Sequence, residues 1–487
     1  MVFRRGIRFH RERGLPPLVL GLIGFAAGFA GVTLLLAPRV SSFRPGPDEA
    51  AGTFAPITIR FSVPMDEESV AAHLHIAPDV VTRARWEGST LELIPTIPWP
   101  TSGEIQIALA RGALSRTGLP LLRSHEWRFT PAGQRVAYLR HSAETYEILV
   151  QPLEGDSARS IAASTQPILE YDISPDGTFL IYAAGHTEKQ SDLWYLALDG
   201  SAPRLLLDCE GDQCRNPAIA SDGRRVAYDR AVLAPSVGGI VSAQRPRVWI
   251  LAMQDESAHA VGDPDHSTRS PVWGPQGWLA YYDADLQTTV VDDLRGGKTY
   301  VPNASGEVGV WTPDGKHLVF PEIRIIDEHA SAAPAAGSAP ASSATPALTP
   351  SADDTLERFY SHLIYVALAT NESTDLSGSP LVEDANVAIS PDGQSLAFGR
   401  KYLDAEHWSP GRQVWVMDLD GTDARQLTFA PAYNASSIRW SPDGALLLFM
   451  RFDQTHVSQP PEVWVTTAAG ENPRQLALGA YLPRWLP

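Results

Sequence analysis

From about residue 130 onward, apolar runs and short polar turns alternate along the chain in one recurring order. Each copy has an aromatic residue or isoleucine, then Pro-Asp-Gly or a close variant, then an apolar run such as LIYAA or LAFGR. Asp-Gly favours a tight turn because glycine accepts a positive φ and the aspartate bonds the following backbone. The apolar runs suit a half-buried strand, so each copy predicts strand, turn and strand. The copies lie at 129–140, 173–184, 219–230, 272–283, 310–322, 389–400 and 440–451.

Most copies continue with a third strand that ends in a second turn, as in DLWYLALDG at 192–200 and QVWVMDLDG at 413–421, followed by a short outer strand. A supersecondary unit repeated every ~40–50 residues is typical of a β-propeller or a solenoid. We therefore predict an all-β domain over 132–487 with seven four-stranded blades. Six blades is the alternative if the copy at 272–283, whose turn lacks the aspartate, is distorted.

These copies resemble the WD40-like repeats of TolB-type β-propellers, with W/I-S-P-D-G, L-A-F and D-L-D-G in the order of that family. The resemblance covers about 134–487 and implies a propeller fold. The last seven residues, YLPRWLP, match the first strand of a repeat that has no further blade. We predict that this strand completes the first blade, with Trp485 in the position that Trp440 holds in its own blade. Such closure removes the exposed sheet edges of an open array.

The residues before the repeats predict a separate all-β domain. From 55 to 131 the order I-x-F-S-x-P-M, W-x-G-x-x-L-x-L-x-P, T-G-L-P-L and W-x-F-T-P resembles the bacterial Ig-like domains of surface-layer and other envelope proteins. The resemblance implies an Ig-like β-sandwich that acts as a spacer or docking module. We expect 38–54 to be a polar stalk. The Ala/Pro/Ser-rich stretch 330–354 predicts a disordered insertion in the fifth blade, because it has too little apolar area to offset its ordering entropy.

The N-terminal stretch 15–37, from Leu15 to Ala37, has no charged residue. It is long enough to cross the ~30 Å hydrocarbon core of a bilayer as one transmembrane helix. Five arginines precede it within residues 1–14, against a single glutamate, so these residues are expected to be a cytoplasmic basic tail and the bulk of the chain to be extracytoplasmic. A cleavable signal peptide is the alternative, although its apolar region should be shorter. We expect a single-pass cell-membrane protein anchored in the lipid bilayer.

The formal net charge of −17 argues against nucleic acid as a partner, because phosphate binding needs a basic surface. The sequence contains no nucleophile-elbow serine motif, no H-E-x-x-H and no Gly-rich phosphate loop. His73 with His75, and Asp418, Asp420 and Asp423, are the two groupings that loosely suggest a metal, and each is better explained by ordinary local structure. We therefore expect no catalytic, cofactor-binding or metal-binding residue.

Cys209 and Cys214 are the two cysteines of the chain. A C-x4-C pair supplies only half the ligands of a structural zinc site, and an exported chain meets oxidising conditions. We expect a local disulfide, with free thiols as the alternative. Its stabilising effect should be modest because the closed loop is short.

Two classes of function fit these observations. In the first, the protein is a non-catalytic, membrane-anchored extracytoplasmic scaffold, whose propeller recognises a protein, a peptide or a cell-envelope component. In the second, it is a propeller enzyme, a lyase or a glycan-active protein, with a site in the central channel. The absence of a catalytic motif favours the scaffold, whereas clustered titratable groups and a metal at the channel would favour the enzyme.

Overall fold

A computed structural model describes residues 37–46, 51–100, 103–142, 144–155, 157–185, 190–235, 241–326, 358–379 and 381–487. Strands dominate this part of the chain. It divides into two compact units. The N-terminal unit contains Pro56–Pro131 and the residues up to Ala51, and the C-terminal unit contains Gly52–Ala55 and Ala132–Pro487. The predicted transmembrane stretch lies, except for Ala37, outside the described residues. No helix within them is both long and apolar enough to cross a membrane.

The N-terminal unit consists of two antiparallel sheets and one short helix. The first sheet has the order β1 (Val40–Arg44), β2 (Ile57–Phe61), β5 (Thr90–Pro95), β4 (Thr82–Glu87). The second has the order β3 (Leu74–Ala77), β6 (Ile105–Leu109), β7 (His125–Phe129), and helix α1 (Glu67–His73) connects β2 to β3. Alternate residues of β2, β5 and β6 are buried, as expected for strands with one face on a core.

Strand β1 departs from the expectation of a stalk over 38–54. Val40–Arg44 pairs with β2 and is part of the first sheet. The physical reason lies in Phe43, whose ring stacks on Trp127 of the same unit with 4.4 Å between centroids. Phe43 thus gives this mostly polar segment a tertiary contact that its composition does not indicate.

The C-terminal unit contains the remaining strands, which form five four-stranded antiparallel sheets and one eight-stranded sheet within the described residues. The eight-stranded sheet consists of two four-stranded antiparallel modules joined by a single parallel pair, Ser191 with Gln213, so that we distinguish seven modules. Module 1 is β35 (Ala480–Leu486), β8 (Arg135–His141), β9 (Tyr146–Pro152) and β10 (Arg159–Ser164). Module 2 is β11 (Ile168–Ile173), β12 (Phe179–Gly185), β13 (Ser191–Ala197) and β14 (Arg204–Leu207). Module 3 is β15 (Gln213–Ile219), β16 (Arg225–Pro235), β17 (Val241–Ala252) and β18 (Ala258–Ala260). Module 4 is β19 (Thr268–Trp273), β20 (Leu279–Asp283), β21 (Thr288–Asp292) and β22 (Lys298–Pro302). Module 5 is β23 (Val310–Trp311), β24 (His317–Ile326), β25 (Arg358–Ala367) and β26 (Ser373–Asp375). Module 6 is β27 (Val382–Ile389), β28 (Ser395–Tyr402), β29 (Gln413–Asp418) and β30 (Arg425–Gln426). Module 7 is β31 (Tyr433–Trp440), β32 (Leu446–Asp453), β33 (Glu462–Thr467) and β34 (Arg474–Leu478).

Buried apolar clusters join each module to the next. One cluster lies between modules 1 and 2, another between modules 2 and 3, and so on through modules 6 and 7. A further cluster, which includes Val136, Leu448 and Trp485, packs module 7 against module 1. The modules therefore follow one another in a closed cycle, which is the arrangement of a β-propeller. The predicted insertion 330–354 lies outside the described residues, between β24 and β25.

The Ser-Pro-Asp-Gly turns owe their geometry to the serine and the aspartate. In module 2, Ser174 Oγ donates to Asp176 Oδ1 at 2.6 Å and accepts from the Phe179 amide at 3.0 Å. Gly177 has a φ of 66°, a conformation that glycine adopts without strain. Thr312, Ser390 and Ser441 repeat the hydroxyl-to-aspartate bond in modules 5, 6 and 7. In these four modules the repeat motif therefore stabilises the turn through its own side chains.

The C-terminal strand β35 pairs antiparallel with β8, so that module 1 is built from both ends of the C-terminal unit. Trp485 lies opposite Val136 in this pairing and is buried. Its indole Nε1 donates to the Arg439 carbonyl at 3.3 Å. Trp440 makes the equivalent bond to Ala388 at 3.2 Å, so the two tryptophans hold equivalent positions.

Candidate functional site

The first strands of all seven modules face a common cavity of about 830 Å³. Residues from β35, β11, β15, β19, β23, β27 and β31, or directly beside them, line it. A cavity bounded by the first strand of every module is the central channel of the propeller. We treat this channel as the candidate site, because concave sites with a few convergent polar groups are where ligands bind.

Five of these first strands have a bulge at the same position of the repeat. We call the aromatic residue or isoleucine at or directly before the end of each first strand the lead residue. The residue three positions before the lead residue has a φ between 48° and 58°, in the left-handed region. The pairing register shifts at the same place in each of these strands. Such β-bulges re-aim side chains and leave backbone groups outside the ladder. The five bulge residues are Asn216, Ser270, Asn386, Ser437 and Leu482.

The first channel carboxylate, Glu170, is held by two donors from module 3. Its Oε1 forms an ion pair with the Arg215 guanidinium, and its Oε2 accepts from the Asn216 amide at 2.7 Å. The bulge at Asn216 places that amide, because the left-handed conformation turns it out of the strand ladder. Glu170 thus serves as a bridge between modules 2 and 3.

The second channel carboxylate, Asp172, bridges three modules. Its Oδ1 lies 3.0 Å from the Arg484 guanidinium of module 1, and its Oδ2 accepts from the Ile219 amide of module 3 at 2.8 Å. Tyr171 beside it donates through its hydroxyl to the Leu482 carbonyl at 2.8 Å. Burial raises the pKa of Tyr171, so this hydroxyl keeps its proton.

Arg439 of module 7 completes the charged side of the channel. Its Nη1 donates to the carbonyl of its own neighbour, Ile438, at 3.2 Å. Burial in the channel wall, reinforced by the like charge of Arg484, lowers the pKa of Arg439 to about 10. The guanidinium is therefore still charged at neutral pH, although its surroundings disfavour the charge.

Asp229, behind the channel wall, is a buried carboxylate with a strongly raised pKa. It accepts from Asn216 Nδ2 at 2.6 Å and from the Ser270 amide at 3.0 Å, and so bridges two bulge residues. Burial raises its pKa to about 7 in spite of these bonds. Its role is to position the bulges, since its side chain lies among protein groups.

The residues singled out from the sequence lie outside the channel lining. Cys209 and Cys214 form a disulfide with 6.3 Å between Cα atoms, and both are buried in the cluster between modules 2 and 3. Trp485 stands one residue beyond the channel residue Arg484 and serves the contact between modules 7 and 1. Sequence reasoning missed the channel residues because single repeats give no sign of them. An alignment of the repeats shows a charged residue one position before the lead residue in three modules, but it does not show that the cycle brings these three residues together.

The groupings that loosely suggested a metal have local partners. His73 Nδ1 lies 2.7 Å from the Ser69 carbonyl oxygen within α1, and Asp420 Oδ1 accepts from the amide and the hydroxyl of Thr422. Across the described part of the chain, no group of three or more His, Cys, Asp or Glu side chains is arranged to hold a metal ion.

No known family model and no curated protein sequence matches this chain. Among solved structures, the chain is similar to TolB from Acinetobacter baumannii, at 12% identity and a TM-score of 0.43, over 86% of this chain and 84% of that one. It is also similar to the β-propeller domain of the Trilobed protease from Pyrococcus furiosus, at 12% identity and a TM-score of 0.46, over 71% and 95%. A third is oligogalacturonate lyase in complex with manganese, at 15% identity and a TM-score of 0.30, over 71% and 74%. These scores are too low to transfer a ligand or an activity to this chain.

Proposed function

We propose that this protein is a non-catalytic binding protein of the cell envelope, and that the channel of a seven-bladed propeller recognises a protein or peptide partner. Each four-stranded module is one blade in this proposal. The stretch 15–37 anchors the chain in the cell membrane with its N-terminus in the cytoplasm, and the N-terminal unit is an Ig-like spacer. The apolar, charge-free stretch and the arginines before it support the anchor.

The observation that carries the proposal is the state of the channel carboxylates. Three carboxylates line the channel, and two of them, Glu170 and Asp172, use both oxygens in bonds to neighbouring modules. The third, Glu307, has a pKa that desolvation raises and the charge of Arg412 lowers. A general acid or base has to exchange a proton with the substrate, which requires an oxygen directed at the reacting group. These two carboxylates instead fix the shape and the charge of the channel wall. A preorganised wall of this kind favours recognition over proton transfer, because little reorganisation is needed on binding.

The channel also presents groups that suit an extended chain. The bulges at Ser270, Asn386 and Ser437 bring short polar side chains to the cavity surface. Such side chains offer both donors and acceptors to a peptide backbone. Val272 and Val310 add apolar surface on one side. A peptide segment entering the channel would therefore find partners for its backbone and a place for apolar side chains.

Affinity capture with a blocked channel tests this function. The tagged full-length protein is recovered from its native membranes beside two variants, Ala218→Trp in the channel lining and Leu478→Trp on an exposed outer strand. Mass spectrometry should find a partner that is retained by the parent and by Leu478→Trp and lost from Ala218→Trp. Near-ultraviolet circular dichroism of the purified variants confirms that the fold is kept. A partner that is retained equally by Ala218→Trp would place recognition outside the channel and overturn the proposal.

A further inference from the structure

The residue just before the lead position occurs once in every module and defines one level of the channel. The seven residues at this level are Asp172, Ala218, Val272, Val310, Ala388, Arg439 and Arg484. All except Ala388 line the cavity. The three charged residues belong to modules 7, 1 and 2, which are consecutive in the cycle, and the four others are small and apolar. The level is therefore divided into a charged arc, Arg439, Arg484 and Asp172, and an apolar arc.

The charged arc has two cations and one carboxylate. Asp172 is engaged by Arg484 and by the Ile219 amide. In the described part of the chain, no carboxylate lies within ion-pair distance of Arg439, whose guanidinium bonds to the Ile438 carbonyl. The arc therefore has an excess positive charge, although the whole chain has a formal net charge of −17. The cavity as a whole is lined by three arginines, Arg215, Arg439 and Arg484, and by three carboxylates, Glu170, Asp172 and Glu307, so the excess positive charge is confined to this arc. An anionic ligand is therefore favoured at the arc rather than elsewhere in the channel.

The chemistry of this arc selects a carboxylate. A guanidinium presents its N–H donors in a planar fork that matches the two oxygens of a carboxylate, and such charge-assisted bonds are stronger than neutral ones. The low-dielectric wall that lowers the pKa of Arg439 also strengthens an ion pair formed there. Across the channel, Ala218, Val272 and Val310 offer an apolar surface. A ligand with a carboxylate next to an apolar group satisfies both arcs.

We propose that Arg439, supported by Arg484, is an anion-binding site that receives a carboxylate of a peptide ligand in the channel. This inference rests on the proposed function and names the chemistry that the channel recognises. Arg439 supplies a guanidinium that bonds to the Ile438 carbonyl and has no carboxylate partner among the described residues. Arg484, held in place by Asp172, adds positive charge. The carboxylate belongs to an acidic side chain flanked by apolar residues.

The test compares two peptides that differ only in charge. The acidic probe is acetyl-Glu-Leu-Glu-Leu-Glu-amide and the neutral probe has Gln in place of each Glu. Binding to the full-length protein in detergent is measured by isothermal titration calorimetry. We expect saturable binding of the acidic probe, at least tenfold weaker binding of the neutral probe, and a loss of at least tenfold for the acidic probe with Arg439→Gln. Arg439→Lys should retain part of the affinity.

Arg128→Gln is the matched control, because Arg128 is an exposed arginine that pairs with Glu104 in the N-terminal unit. Equal affinity of the two probes, or unchanged binding by Arg439→Gln, would overturn the inference. Trigalacturonate, an acidic sugar, is a separate arm. Binding of that sugar without binding of the acidic peptide would overturn the peptide assignment.

The two proposals fail in different ways. If the partner captured from membranes is lost with Ala218→Trp but retained with Arg439→Gln, the channel function stands and the anion site falls. If capture is insensitive to Ala218→Trp, the channel function itself falls.

Discussion

Neighbouring modules are joined by two kinds of interaction, and the residue at the lead position determines whether an indole hydrogen bond is one of them. Four modules lead with tryptophan, and in each the indole N–H donates to a backbone carbonyl of the preceding module. These bonds are Trp273 to Ala218, Trp311 to Val272, Trp440 to Ala388 and Trp485 to Arg439. Three modules lead with isoleucine, which has no donor, and their interfaces contain charged side-chain networks instead.

Each isoleucine-led interface has its own network of charged side chains. At the interface of modules 1 and 2, Arg484 pairs with Asp172, and at that of modules 2 and 3, Arg215 pairs with Glu170. At the interface of modules 5 and 6, Arg400 binds Asp384 and reaches the Ser377 carbonyl of module 5. The first two networks face the channel, so the charges that shape the candidate site also hold modules together. At these two isoleucine-led interfaces, the same charged residues therefore join the modules and line the candidate site.

Removal of the closing strand β35 should lower the free energy of unfolding more than any other change to the contacts between modules. Deletion of residues 481–487 leaves β8 with an open edge and removes both Trp485 and Arg484, one tie of each kind. Loss of a large buried aromatic alone costs about 3–5 kcal/mol, so the free energy of unfolding of the C-terminal unit should fall by more than that. A thermal melt of the full-length chain with and without these residues measures it. Identical melting curves would show that the pairing of β35 with β8 contributes nothing to stability.

Arg400→Met should have the next largest effect, because it breaks a buried charged tie. Arg400 and Asp384 are both buried, and removal of the cation leaves an uncompensated carboxylate. The free energy of unfolding should fall by about 3–5 kcal/mol, as measured by urea denaturation. The double variant Arg400→Met with Asp384→Leu should recover most of the loss. If the single variant costs nothing, charge is irrelevant at this isoleucine-led interface.

The interface of modules 3 and 4 has both kinds of tie, Trp273 and Asp229, and so offers a test by pH. The pKa of Asp229 is raised to about 7 in the folded protein, so its contribution to stability is full below about pH 4 and is lost as the pH rises through 7. Glu170 and Arg269 also act on this carboxyl group, in opposite directions. Relative to Asp229→Asn, the parent should lose roughly 1–3 kcal/mol between pH 5 and pH 8, since one pKa unit is worth about 1.4 kcal/mol. The free energy of unfolding is measured by urea denaturation at each pH. If it changes equally with pH in the parent and the variant, the pKa assigned to Asp229 is contradicted.

Trp440→Phe should have the smallest effect of the four. The ring remains and only the indole N–H bond to the buried Ala388 carbonyl is lost. The expected cost is about 1 kcal/mol, independent of pH and of salt. Urea denaturation at low and high ionic strength measures both quantities. A strong salt dependence would mean that tryptophan-led interfaces also rely on charge.

The sequence was sufficient for the parts of the fold that repeat. Turns such as Ser174–Gly177 depend on local bonds between adjacent residues, and local chemistry of this kind can be read from a single copy. The closing role of Trp485 was also accessible, because the terminal segment resembles the other first strands. By contrast, the strand at Val40–Arg44 depends on the stacking of Phe43 on Trp127, a contact between residues far apart in the chain.

The channel site could not be predicted from the sequence for a geometric reason. Arg439, Arg484 and Asp172 are adjacent only because the cycle closes, and in the chain Asp172 is more than 260 residues from the nearer arginine. The bulges add a second obstacle, because residues such as Ser437 take a left-handed conformation for which their sequence context gives no signal. The sequence shows which modules have isoleucine instead of tryptophan at the lead position. It does not show that a lead tryptophan bonds to a carbonyl of the preceding module, so the consequence of the isoleucine could not be inferred.

The pairing of β35 with β8 also has a kinetic consequence. Modules 2 to 7 are each built from strands consecutive in the chain, and such local hairpins form quickly. Module 1 has to wait for a partner that is distant in sequence, as the bond from Tyr171 to Leu482, across 311 residues, illustrates. The entropy of closing so long a loop slows this last step. During synthesis the edge of β8 therefore stays unpaired the longest, and this edge is where we expect misassembly between chains to begin.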